Sequence, residues 1–156
     1  MTVTLPCLTF TEPWGSLCLH GIKTLETRKG PVLSRFRGPL VIHRSKAPVA
    51  DAGLERWGVV PPLRPAGWPE DDRGMALGIV LVKRTWPPGF LANPNIHDIQ
   101  RRACFMDVAG RYLSELSRVA WFPAPFAARG KQGLQDKIAI AVFIKLNSLR
   151  VIAVKA

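Results

Sequence analysis

Lys23, Glu26 and Arg28 set an ammonium, a carboxylate and a guanidinium close together on one short segment. A lysine there could bind phosphate, or act as a base if burial lowered its pKa. Glu26 could be a general acid or base, or an orienting partner for either cation. Arg28 could clamp a phosphate or a carboxylate. Ordinary ion pairing among the three is the competing explanation for each. A second group lies further on, in Leu40-Val41-Ile42-His43-Arg44-Ser45-Lys46. His43 has an imidazole that can shuttle protons near neutral pH, or serve as a satisfied structural group. Arg44, Ser45 and Lys46 could supply ligand contacts beside it.

These residues need elements to hold them. Pro13 suits the first turn of a helix running to His20, with Thr11 as its cap. Gly21 suits the left-handed residue that closes the helix. Thr24 to Arg28 alternates as a strand, with Thr24, Glu26 and Arg28 on one face and Leu25 and Thr27 on the other. Trp14 could stack a base at the cleft edge or pack the helix against the core. In the strand from Pro39 to Lys46, alternation puts His43 and Ser45 on one face and Arg44 and Lys46 on the other. Further strands are predicted at 3–10, 75–83 and 137–146, with an extended stretch at 121–126. A short helix is predicted at 51–57, and a longer one from Ile96 towards Leu116, weakened at Gly110. Gly78 marks a bulge or a close approach within its strand. Gly130-Lys131-Gln132-Gly133 forms a turn that presents Lys131 and whose free N–H groups could hold an anion. Short strands punctuated by Gly/Pro loops fit a small barrel better than a layered α/β sheet.

Four of these stretches, in this order, resemble the ASCH family, a branch of the PUA-like β-barrels. They are Pro13-Trp14 with Gly21-Ile22-Lys23-Thr24-Leu25-Glu26-Thr27-Arg28, the Ile42-His43 strand, the Ala76 to Val82 strand, and Arg129-Gly130-Lys131-Gln132-Gly133-Leu134. The resemblance spans roughly residues 3 to 144 and is strongest at 13–28. It implies an α+β, mainly β fold: a PUA-like small barrel with a few flanking helices. Residues 1–146 would form this domain, and 147–156 a tail or an extra edge strand. It also implies a cleft built around Lys23, with the 130–133 turn as one wall.

Composition narrows the rest. The chain has 156 residues, 47% of them hydrophobic, enough for one domain with a real core. Its formal net charge is +11, and arginine outnumbers lysine. Arginine binds phosphate bidentately and stacks on bases, so a polyanionic partner is expected. No apolar run reaches the roughly 18 residues of a membrane span, and the first ten residues carry no basic leader. Three separate cysteines, with no Cys-x-x-Cys pair, suggest buried thiols in a reducing cytoplasm. No metal-binding cluster or phosphate-binding Gly-rich loop is present, so no cofactor is expected.

Two functions follow. The first is binding of RNA or a nucleotide-like ligand, with Lys23, Arg28, Arg44 or Lys46, and Lys131 on phosphates, and Trp14 on a base. Thr24 would line the same cleft. The second is a hydrolase with Lys23, Glu26 and His43 as its catalytic groups. The family includes metal-independent ribonucleases and amidohydrolases of acetylated cytidine. The amidohydrolases resemble this chain except at their nucleophilic threonine, where Glu26 stands. A buried Lys23 touching Glu26 and a small closed pocket would favour an enzyme acting on a nucleoside or small molecule. An open cationic groove would favour RNA, and a closed ion-pair network with no cleft would favour a structural or protein-interaction role.

Overall fold

Apolar residues at β-strand spacing build one curled sheet on which everything else rests. The computed structural model describes residues 2–60, 64–90, 95–129, 133–145 and 148–152. The strands are β1 (Thr2–Phe10), β2 (Leu25–Arg28), β3 (Gly38–Arg44), β4 (Met75–Trp86), β5 (Tyr112–Ala127), β6 (Gln135–Lys145) and β7 (Ser148–Ile152). Among the described residues the helices are α1 (Trp14–Leu19) and α2 (Ile96–Ala103), with a 3-10 turn at Leu54–Trp57. The fold is therefore mainly β with a minor helical part.

All seven strands join one sheet in the order β2-β5-β4-β3-β1-β6-β7. Among the described residues, only β1 and β3 pair in parallel, with Thr9 opposite His43. The other neighbours pair antiparallel. β5 and β7 are far apart in this order yet approach each other, so the sheet curls into a half-barrel. Register shifts along β4 and β5 supply the bends that such curvature needs.

β1, β3 and β4 are central and buried on both faces, which explains their nearly continuous apolar runs. On one face Leu8, Phe10, Leu40, Ile42, Leu77 and Val80 pack beneath α1. On the other, Leu5, Cys7, Val41, Ala76, Ile79 and Phe122 form a second cluster. Gly78 belongs to this packing. A Cβ there would stand 2.5 Å from the Ala120 carbonyl oxygen and 2.7 Å from Leu19. The glycine accommodates the backbone of β5, at a register shift of the pair.

The region 96–116 departs from the predicted long helix, while the predicted extended stretch at 121–126 lies in β5. α2 stops at Ala103, and Cys104 adopts a left-handed conformation with φ 48°. Residues from Tyr112 are strand, so Leu113 and Leu116, which extend the helical spacing, face the core from β5 instead. Leu113 and Val108 still pack on Ile99 and Ala103. Tertiary burial of the same apolar residues has overridden the local pattern. Thr11 also does not cap α1; the Glu12 carboxylate accepts the Ser16 N–H instead. The 51–57 helix is shorter, a 3-10 turn at Leu54–Trp57.

Candidate functional site

The turn after α1 delivers Lys23 into the interior. Ile22 N–H and Lys23 N–H both donate to the Leu17 carbonyl at 3.0 Å, across Gly21 at φ 74°. Lys23 is 2% exposed. Its ammonium donates to the carbonyls of Leu25 (2.7 Å) and Ala103 (2.6 Å) and lies 3.2 Å from Glu26 Oε2. An ammonium has three N–H groups, and all three are engaged.

Glu26 is held from its other side by Arg28, whose Nε donates to Glu26 Oε1 at 2.6 Å. Arg28 Nη2 also donates to the Thr9 carbonyl, and the guanidinium lies over the Phe10 ring at 5.2 Å. The carboxylate thus sits between two cations, nearly buried, with each oxygen accepting one bond. Alternation along β2 accounts for this. Leu25 turns to the cluster under α2, while Glu26 and Arg28 turn to the cleft.

The cleft has two chambers. The smaller, about 210 Å³, is lined by Lys23, Glu26 and Arg28 with Phe10, Trp14 and Phe105 among its walls. The larger, about 920 Å³, contains Arg28, His43, Ser45, Lys46, Arg129 and Gly133. Thr9, Thr11 and Arg28 line both, so Arg28 stands in the shared wall. None of the described residues lining the larger chamber is acidic.

His43 is 2% exposed and lies on the floor of the larger chamber. Its Nε2 faces the Ala128 carbonyl at 3.1 Å and must carry the proton; Nδ1 then accepts from the Thr9 hydroxyl at 3.1 Å. Burial pushes its pKa below 6.5, opposed by the carbonyls of Gly74 and Ala128 and assisted by the nearby Lys46 cation. His43 is therefore a neutral imidazole with both nitrogens occupied. The cysteines offer no nucleophile either. Cys7, Cys18 and Cys104 are free and buried, and burial raises the Cys7 thiol to about 12.

The cleft thus collects Trp14, Lys23, Glu26, Arg28, His43, Ser45 and Lys46. Trp14 is fixed by its indole N–H, which donates to the Cys104 carbonyl at 2.9 Å, and by an edge contact with Phe105. Lys46 joins His43 and Ser45, against the alternation, because β3 ends at Arg44 and the chain bends there. Arg44 is not in the cleft. It pairs with the fully buried Asp72, which also binds Arg64, and Arg64 reaches Glu12 and Ser16. That network pins the 64–72 loop beneath α1. Thr24 lies outside the cleft as well. It precedes β2, its N–H donates to Arg102, and its hydroxyl accepts from the Arg102 guanidinium. Lys131 falls outside the described residues; Gly133, two residues on, lines the larger chamber.

Sequence reasoning missed Arg111 and Arg129. Arg111 falls within the helix expected from Ile96 towards Leu116; it instead precedes β5 and lines the small chamber. Its guanidinium covers Phe105 at 4.8 Å, its Nε is buried without a partner, and Asp107 lies 3.4 Å from Nη2. Once 112–127 is read as a strand, an arginine just before it falls at the sheet edge beside β2. Arg129 lies two residues beyond the end of β5 and lines the larger chamber.

Among the described residues no group of three or more His, Cys, Asp or Glu could hold a metal ion. No helix there is long and apolar enough to cross a membrane. A scan against known protein families finds no match for this chain.

Proposed function

We propose that this chain is an ASCH-type domain on a PUA-like barrel that binds RNA, or a nucleotide-like ligand, in the two-chambered cleft. The observation that carries this is the position of Arg28 between an aromatic-walled chamber and a larger one with cations and no described carboxylate. A base suits the first, where Trp14 offers a stacking surface, and phosphates suit the second. The motif order supports the family reading. The buried free thiols fit a reducing compartment such as the cytoplasm.

A hydrolase acting in the same cleft is the second reading, favoured by Lys23 being buried against Glu26 beside the small chamber. Against it, the Lys23 ammonium has no donor to spare and both His43 nitrogens are taken. In the binding reading Lys23 is a fixed charge that orients Glu26.

The test is binding of short single-stranded and hairpin RNAs at two salt concentrations, wild type beside Arg28→Ala, with the RNA run on a gel afterwards. The expected result is salt-sensitive binding, weaker in the variant, with RNA intact. Cleavage that disappears in the variant would establish the hydrolase. Absence of binding at both salts would reject the RNA reading.

A further inference from the structure

We propose that Glu26 accepts a hydrogen bond from a ribose hydroxyl, so that the cleft selects ribose over deoxyribose; this rests on the nucleic-acid reading above. A carboxylate offers about four acceptor positions and no donor when ionised. Lys23 takes one on Oε2 and Arg28 one on Oε1. Acceptor positions remain on a carboxylate whose residue lines the small chamber.

Whatever meets Glu26 must therefore be a donor. Phosphodiester oxygens are not donors, and a carboxylate close to them would repel them. The larger chamber, with Arg28, Lys46 and Arg129 and no described acid, is the place for phosphate. Arg28 forms the wall between the chambers, and Glu26 touches Arg28 from the small-chamber side at 2.6 Å. In a nucleotide the sugar lies between phosphate and base. With phosphate on the outer side of Arg28 and the base against Trp14, the sugar lies beside Glu26. The sugar's donor is its 2′-hydroxyl, the group by which proteins tell RNA from DNA. The geometry also pre-organises the acceptor. Glu26 is 5% exposed and clamped on both sides, so it needs no reordering to receive the hydroxyl.

The experiment compares one single-stranded sequence made as RNA, as DNA and as 2′-O-methyl RNA, titrated against wild type, Glu26→Gln and Glu26→Asp at fixed salt. The methyl ether keeps the ribose pucker and removes the donor. Wild type is expected to bind RNA about ten- to a hundredfold more tightly than the other two, the worth of one hydrogen bond to a charged group. In both variants that ratio should shrink towards one. Glu26→Asp keeps the charge between Lys23 and Arg28, so it serves if the amide variant does not fold. Equal binding of RNA and DNA by wild type would overturn the proposal while leaving nucleic-acid binding intact. So would 2′-O-methyl RNA binding as well as RNA, or the RNA preference surviving in the variants. Failure of all three to bind would overturn it together with the reading beneath it.

Discussion

Lys23 has three N–H donors, and the fold consumes all of them on Leu25, Ala103 and Glu26. Its side chain ties the start of β2 to the end of α2. Replacing it with methionine leaves two carbonyls without a donor and removes one of the two cations on a buried carboxylate. The expected cost is about 3–5 kcal/mol, as for other broken buried pairs, read as a lowered denaturant midpoint. A lysine serving only a ligand would lose affinity in that variant and keep its midpoint. His43 makes the opposite kind of prediction. Its pKa is lowered by burial, so above about pH 6.5 neither folded nor unfolded chain is protonated there and no penalty arises. As pH falls below 6.5 the unfolded state takes up the proton first, and stability drops until the folded pKa is reached. Denaturant midpoints from pH 8 to pH 5 should show this decline, and His43→Gln should flatten it. The Glu26–Arg28 ion pair was legible from the two-residue spacing. The role of Arg44 was not, because its partner Asp72 comes from a loop 28 residues away.

At the scale of elements, the sheet depends on the close crossing of β4 and β5 at Gly78. A methyl group there meets backbone, the Ala120 oxygen at 2.5 Å, and not a side chain that can swing aside. Gly78→Ala should therefore destabilise by about 1–3 kcal/mol, measured by thermal or chemical unfolding. A glycine kept for ligand approach would tolerate the methyl and lose binding instead. The central strands were readable because burial on both faces leaves uninterrupted apolar runs, as in Met75 to Val82. The stretch 104–120 was not, for an identifiable reason, although the extended stretch at 121–126 was. The helix stops at Cys104, a non-glycine residue at φ 48°, which no sequence signal announces. The apolar spacing then continues through Leu113 and Leu116, which are buried from a strand. That misassignment carried Arg111 away from the cleft. Lys46 was displaced more mildly, by a strand ending two residues earlier than its pattern.

For the whole molecule, the charge of +11 matters through where it collects. Many cations are spent locally: Arg73 on Asp71, Arg84 on Glu115 and Arg101 on Asp98. Lys46 and Arg129 line the larger chamber without an ion pair among the described residues. If they contact phosphates, each contributes about 0.7 to the slope of log affinity against log salt on a single strand. The double variant Lys46→Ala/Arg129→Ala should lower that slope by about 1.4 while leaving the unfolding midpoint near wild type. An unchanged slope would assign salt dependence to diffuse charge.

The account stands most directly on where an RNA strand touches the protein. Amide and arginine side-chain resonances of isotope-labelled protein, followed as a short single-stranded RNA is added, locate that contact. The account predicts that shifts concentrate on Thr9, Thr11, Trp14, Arg28, Lys46 and Arg129, including the Arg28 Nε signal. Shifts confined to Arg101, Arg118 and other residues away from the cleft, with Arg28 unmoved, would contradict it.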